Sequence, residues 1–426
     1  MGAPARAARG AGPSGRPYRG SLRGHAGRCP AGDHARGGSG CHRRSDRAVT
    51  IAMLHGRSAG GRDGVADYTA NLTVALCAAG TEVASVPVDP GPAGLVAAAH
   101  RVRALRPQLV HVQFAPSAYR FSPWVGLLPD LTGRPVVTTL HEYGWWSAPA
   151  WVPAAVWKLV ERGGRFDRET WRLAPGSAAV VTTNSGHAAA VDARLGRRTD
   201  HVPLAPNVSD CGSDIAGFEV RIRMGVPVDA DVVAFFGLVH PVKGLRYLIE
   251  AVARLRVSHP RLHLLVLGGF TSLALPEPEA RAFRDELEAW ARECGAAAHL
   301  TITGHLAAAD VSAALHASDV AAFPFTAGAT TKSGALLSAF AHGLPTVVTA
   351  AAPPDPELVD GETVVVAPRV RDAGALVAAL ERLLDDRMLR ERVRAGAASV
   401  VAQRSWPRLA EAHREIYARL LENGSQ

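Results

Sequence analysis

Short apolar runs alternate with longer stretches of helical period along most of the chain. The first run is Val49–Leu54, followed by a loop over His55–Gly64 and an amphipathic helix over Val65–Ala79. The series continues through Glu82–Pro87, the helical Ala93–Leu105, Leu109–Gln113, Pro135–Leu140, Ala178–Thr183 and His201–Val202. It then restarts with Val232–Phe236, a helix over Leu245–Ser258, Leu262–Leu267, a helix over Pro278–Cys294 and Leu300–Thr303. A helix over Asp310–Ala317, Val320–Phe325, a helix over Gly334–His342, Thr346–Val348 and Thr363–Val366 complete it. Runs that are apolar on both faces and separated by helices predict parallel sheets covered on both sides. The pattern therefore predicts an α/β chain of two doubly wound, Rossmann-like domains, over residues 48–205 and 218–405. The loop-rich 206–217 is the linker, and the crevice between the carboxyl ends of the two sets of strands is where such sheets bind ligands. A last helix, roughly Trp406–Leu421 within 406–426, is expected to pack back across the hinge.

Composition narrows the partners. With 426 residues and 47% hydrophobic content, there is material for two cores. The net charge of +8 is carried by residues 1–47, where ten arginines face two aspartates, so residues 48–426 are neutral and hold no basic groove for nucleic acid. That first segment is rich in Gly, Ala, Arg and Pro and lacks the apolar surface to offset ordering, so it reads as a disordered tail or as an early start codon. It has no apolar stretch of the secretory kind, and no run in the chain reaches the ~18 residues of a membrane span. The five cysteines are scattered without CxxC spacing, which fits reduced thiols in a cytoplasmic protein and no metal.

Two segments carry chemistry. Gly237-Leu-Val-His-Pro-Val-Lys243-Gly244 follows one apolar run, and Thr330-Thr-Lys332-Ser333-Gly334 follows another and opens a helix. Each reads strand, small-residue loop with a lysine, helix. Glycine lets the backbone approach an anion, N–H groups at a helix start point at it, and lysine adds a point charge. Two such loops on one crevice suit a diphosphate.

Taken in order, these pieces resemble the retaining glycosyltransferases of family 4, which have the GT-B fold, over roughly residues 48–422. The resemblance rests on Gly237…Lys243-Gly244 followed by Leu-Arg-Tyr-Leu-Ile-Glu-Ala, and on the small-residue helix ending His-Gly343-Leu-Pro345. Gly64-Val-Ala-Asp67-Tyr-Thr, Val110-His111-Val-Gln113-Phe, His141-Glu142 and Glu357-Leu-Val-Asp360-Gly361-Glu362 support it. Many members carry paired glutamates around the second loop, one for the donor sugar and one for the ribose. Here those places fall on Thr330 and Ser338, and Leu238 stands where an arginine often follows the first Gly. Some members carry a Thr/Ser/Lys-or-Arg/Ser-Gly version of the loop, which this chain is nearer to.

The resemblance implies metal-independent transfer of a sugar from a nucleotide diphosphate to a glycan, lipid-linked or small-molecule acceptor. Charge grows on the departing diphosphate, so fixed positive groups and N–H dipoles should do most of the catalysis. Lys243 and Lys332 are the catalytic candidates, with His141 past a buried strand to meet the transferring sugar. Gly60, Gly61, Gly237, Gly244, Ser333, Gly334 and Ser338 are candidate donor-binding positions. Asp67, His111, Gln113 and Glu142 are candidate acceptor or sugar contacts, although a surface acid, a satisfied core histidine or a structural hydrogen bond would produce the same residues. The alternative is a GT-B scaffold without catalysis that serves as a binding partner in a glycan pathway, the acids at Thr330 and Ser338 being absent. Trp145, Trp146, Trp151, Trp157 and Trp171 form either an aromatic mini-core or an acceptor surface at a lipid headgroup boundary, which would bring the protein to the inner face of a membrane. Asp229-Ala-Asp231 has the spacing of a metal-binding DxD but precedes its strand, away from the crevice, and is expected to be a solvated turn.

Overall fold

The structure is a computed structural model that describes residues 50–57, 64–143, 152–212, 215–271, 275 and 277–423. The 1–47 segment, Gly60, Gly61, Trp145, Trp146 and Trp151 lie outside these residues.

Two six-stranded, all-parallel sheets divide the chain. The first comprises β1 (Thr50–Gly56), β2 (Glu82–Val88), β3 (Leu109–Phe114), β4 (Val136–Leu140), β5 (Ala179–Thr182) and β6 (Asp200–His201). The second comprises β7 (Asp231–Phe236), β8 (Leu262–Leu267), β9 (Leu300–Ile302), β10 (Val320–Phe323), β11 (Thr346–Thr349) and β12 (Val365–Ala367). Parallel neighbours need crossovers, and helices such as Gly64–Ala78, Pro92–Leu105 and Leu245–Leu255 supply them. β3, β4, β8, β10 and β11 are buried along their whole length, as expected of strands covered on both faces.

The strand orders differ between the halves. The first sheet runs β2-β1-β3-β4-β5-β6 and the second β12-β11-β10-β7-β8-β9. The winding direction reverses between β1 and β3 in one sheet and between β7 and β10 in the other. The segments leaving the carboxyl ends of those four strands are where a doubly wound fold places its ligand.

Three cores result. One fills the second domain. Two lie on opposite faces of the first sheet, and the one over Ile51, Met53, Leu109 and Val137 includes Leu409, Ala410, Ile416 and Tyr417. These belong to the terminal helix Trp406–Asn423, so the end of the chain returns from the second domain to cover the first. Trp406 Nε1 donates to Pro206 O (3.0 Å), which pins the returning segment beside the outgoing linker.

Candidate active site at the two switch points

The loops after β7 and β10 are pressed together by glycine. Gly237 has φ 131° and Gly244 φ 70°, and a Cβ added to Gly244 would sit 1.9 Å from Pro324 O. Any side chain there would drive the two loops apart. Thr326 holds the same junction, its N–H and Oγ donating to Val242 O at 2.9 and 3.1 Å. Lys243 ends the short turn Pro241–Lys243, and its Nζ stands 4.0 Å from the centre of the Phe325 ring. Part of the lysine is open to solvent, but its ammonium is surrounded by enough protein that burial lowers its pKa to about 8. The ring face attracts the ammonium and offsets part of the hydration it has lost.

The second loop leads into helix Gly334–Ala341. Ser333 caps it by accepting from Leu336 N (3.2 Å), which fixes the direction in which the first-turn N–H groups point. Gly334 packs on the linker, where a Cβ would lie 1.9 Å from Asn207 Oδ1. Asn207 N–H donates to Gly334 O (3.1 Å), and Asn207 O accepts from Asn71 Nδ2 of the first domain (3.2 Å). Lys332 reaches across, its Nζ donating to Nε2 of His187 (2.9 Å) on the first-domain helix Ser185–Leu195. Burial lowers the pKa of Lys332, opposed by the negative charge of Glu142. His187 is pushed down to about 4 by burial and by Lys332, so it is a neutral acceptor near pH 7.

His141 leaves the end of β4 and carries a tightly built support. Its Nε2–H donates to Gln113 Oε1 (2.9 Å), and the Gln113 amide nitrogen approaches His111 Nε2 (3.1 Å). Tyr68 sets its ring edge-on, centroids 4.7 Å apart. Burial, with the nearby His413 and His187, brings the His141 pKa down to about 3, so the ring is neutral.

The sequence-derived candidates thus divide. His141, Glu142, Lys332, Ser333 and Gly334 meet at the interdomain crevice, with Lys243, Gly237 and Gly244 on the adjoining loop. Asp67 is exposed in the first turn of helix Gly64–Ala78. Three candidate contacts need correction. His111 and Gln113 have no exposed surface and approach the crevice only through His141. Ser338 is also fully buried, donating to Gly334 O (2.7 Å) and accepting from Val208 N (3.0 Å), so it binds the linker to the helix instead of a donor. His187 and Asn207 escaped the sequence reading. The one available signal was the Asn184-Ser-Gly-His helix start after β5, the same strand–loop–helix pattern that singled out the other loops.

Other features lie elsewhere. Asp229 is exposed and Asp231 pairs with Arg261 (3.4 Å) at the amino end of β7. The same edge holds a cavity of about 630 Å³ lined by Arg261, His316, Asp319 and His342, far from the switch points. Asp210, His316 and His342 cluster there, but both ring nitrogens of His342 are engaged, with Ser338 O (2.7 Å) and Ser312 Oγ (2.8 Å). Cys77 and Cys294 are not joined in disulfides. Trp157 and Trp171 meet edge-to-face at 6.3 Å. Among the described residues, no helix is long and apolar enough to cross a membrane.

Two parallel α/β domains closing on a shared crevice define the GT-B architecture, and solved structures share it. The structure of HepE from Anabaena in complex with UDP and glucose matches at a TM-score of 0.63 and 17% identity, covering 87% of this chain and 99% of that one. Sucrose-phosphate synthase from Thermosynechococcus elongatus matches at 0.66 and 18%, covering 88% and 100%. Residues 230–386 match the family model "Glycosyl transferases group 1". Among curated proteins, a D-inositol 3-phosphate glycosyltransferase of Stackebrandtia nassauensis is 30% identical over 244 residues, which is 55% of this chain and 52% of the relative. One from Xylanimonas cellulosilytica is 29% identical over 67% of this chain and 66% of the relative. The chain spans about half the length of most of the curated relatives it matches.

Proposed function

We propose that the chain is a retaining glycosyltransferase that moves a sugar from a nucleotide diphosphate to a glycan, lipid-linked or small-molecule acceptor. The observation that carries this reading is the joining of two lysine-bearing loops at the β7/β10 switch point, opposite a neutral histidine at the end of β4. Departure of the nucleotide diphosphate concentrates negative charge where Lys243, Lys332 and the first-turn N–H groups of helix Gly334–Ala341 stand. Each such contact is worth ~3 kcal/mol of barrier, the usual effect of one oriented donor on a developing anion. Lys332 keeps one N–H on His187 and turns the others to the diphosphate, which links donor binding to the closeness of the two domains. His141, held with Nε2–H on Gln113, offers Nδ1 as an acceptor to a hydroxyl of the transferring sugar. The family match over residues 230–386 and the glycosyltransferase names of the relatives support the same activity. The UDP and UDP-glucose bound by HepE make UDP-sugars the first donors to test.

The deciding experiment incubates the protein with UDP-, GDP-, ADP- and TDP-sugars and follows nucleotide-diphosphate release, beside a thermal-shift screen with the free nucleotides. Slow release from one donor, with stabilisation by the matching nucleotide, is expected. Normal nucleotide binding with no release from any donor would replace the enzyme with a catalytically silent scaffold.

A further inference from the structure

A chain of buried polar contacts runs from the terminal helix to the crevice. Tyr417, 1% exposed, places its hydroxyl 2.6 Å from Nδ1 of His111. The other nitrogen of His111 lies 3.1 Å from the Gln113 amide nitrogen and 2.7 Å from Thr139 Oγ. Gln113 Oε1 accepts from His141 at 2.9 Å, and its amide nitrogen also faces Met53 Sδ at 3.3 Å. His111, Gln113 and Thr139 have no exposed surface, so no water can mend a mismatched partner.

Such a chain has one polarity at a time. With Oε1 of Gln113 toward His141, its N–H groups face His111, whose Nε2 must then be the bare acceptor. Thr139 donates to that same nitrogen. The proton of His111 therefore sits on Nδ1, and the Tyr417 oxygen accepts it. From these contacts we infer that Tyr417 is a positioning residue that sets the tautomer of His141 through His111 and Gln113, resting on the reading of His141 as a contact to the transferring sugar. Without the tyrosine oxygen, His111 Nδ1–H has no acceptor. The satisfied alternative puts the proton on Nε2, donating to Thr139. Gln113 must then turn its amide over, present N–H to His141 and move the His141 proton to Nδ1. The crevice edge of the ring changes from acceptor to donor, with no proton gained or lost by the protein.

The test is Tyr417→Phe in the full chain, which removes one oxygen and keeps the ring in its core. Long-range proton–nitrogen correlation on ¹⁵N-histidine-labelled protein reads the ring tautomers, with His141 assigned from the His141→Gln spectrum. Wild type should show Nε2–H on His141 and Nδ1–H on His111, and Tyr417→Phe should show both reversed. Turnover should fall about 10²-fold, the lower range for a misplaced proton-bearing group, while donor KM and the UDP-induced thermal shift stay unchanged. An unmoved His141 signal overturns the inference, as does a wild-type spectrum of the opposite polarity, which can be read even if Tyr417→Phe does not fold. Reversed tautomers with unchanged turnover overturn the positioning role. The nitrogen spectrum decides the relay even if no sugar nucleotide is turned over, so failure of the proposed activity is seen separately.

Discussion

Lys332 of the second domain donates to Nε2 of His187 of the first at 2.9 Å, directly across the crevice. The neutral imidazole fixes the position of the cation, and the negative charge of Glu142 also acts on it. Replacing His187 by Ala should leave Lys332 without this support. The expected outcome is donor KM raised about tenfold or less, as for loss of one hydrogen bond to a charged group, with the thermal midpoint within a few degrees of wild type. Initial-rate kinetics with the responsive donor check it, and an unchanged KM would remove His187 from the site.

Lys243 is expected to matter for turnover and not for folding. Lys243→Ala removes an ammonium that makes a ring contact with Phe325, so the thermal midpoint should barely move while kcat falls about 10²-fold. Equal kcat in the variant would show a bystander lysine.

The same residue gives a pH limb. Its pKa of about 8 means the charged form dominates below that value and is lost as pH rises through it. Donor kcat/KM should therefore fall on the alkaline side of about pH 8. Lys243→Arg, which stays charged, should move that limb upward if it retains activity.

Acid should loosen the fold from within the first domain. His413 is fully buried against His111, its Nδ1–H donating to Leu409 O (2.7 Å) while its Nε2 has no partner, and burial lowers its pKa to about 4. A histidine whose folded pKa lies below its unfolded value near 6.5 stabilises the fold fully above 6.5. That contribution is lost as pH falls toward 4, because the unfolded chain then binds more protons. For His413 alone the upper figure is about 3 kcal/mol, and His141 adds in the same direction. Urea melts from pH 8 to 4 should show this slope, and His413→Leu should flatten it while leaving pH 8 stability equal or higher. A slope unaffected by that substitution would assign the acid sensitivity elsewhere.

Gly244→Ala should separate the two lysine loops. It meets both a left-handed backbone and Pro324 O, so a loss of about 1–3 kcal/mol is expected, with donor binding weakened. Gly80→Ala shares the left-handed φ with open space around it, and serves as the control for backbone strain alone.

Much of this was legible before any coordinates. The apolar runs fall on the strands, with β8 matching at both ends, because strands buried on two faces leave an unbroken signature. Lys243, Lys332, Ser333 and Gly334 stand out in the sequence because each of their two segments pairs a cation with small residues in a short loop after a strand. What escaped depends on contacts distant in sequence. Nothing near His187 announces Lys332, 145 residues on, and nothing around His111 reveals Tyr417, 306 residues on. Ser338 was misread because a buried serine that bonds its own helix and a linker has the same spelling as one that binds a ligand.

The return of the terminal helix sets where the two halves are joined. The backbone passes between them once outward, by Leu204–Pro206, and once back, by Arg404–Trp406, and these passages touch through Trp406 to Pro206 and Arg404 to Leu204. Two connections fastened side by side restrict any relative rotation of the halves to an axis through the fastening, so residues beside Trp406 should shift least when the crevice is occupied.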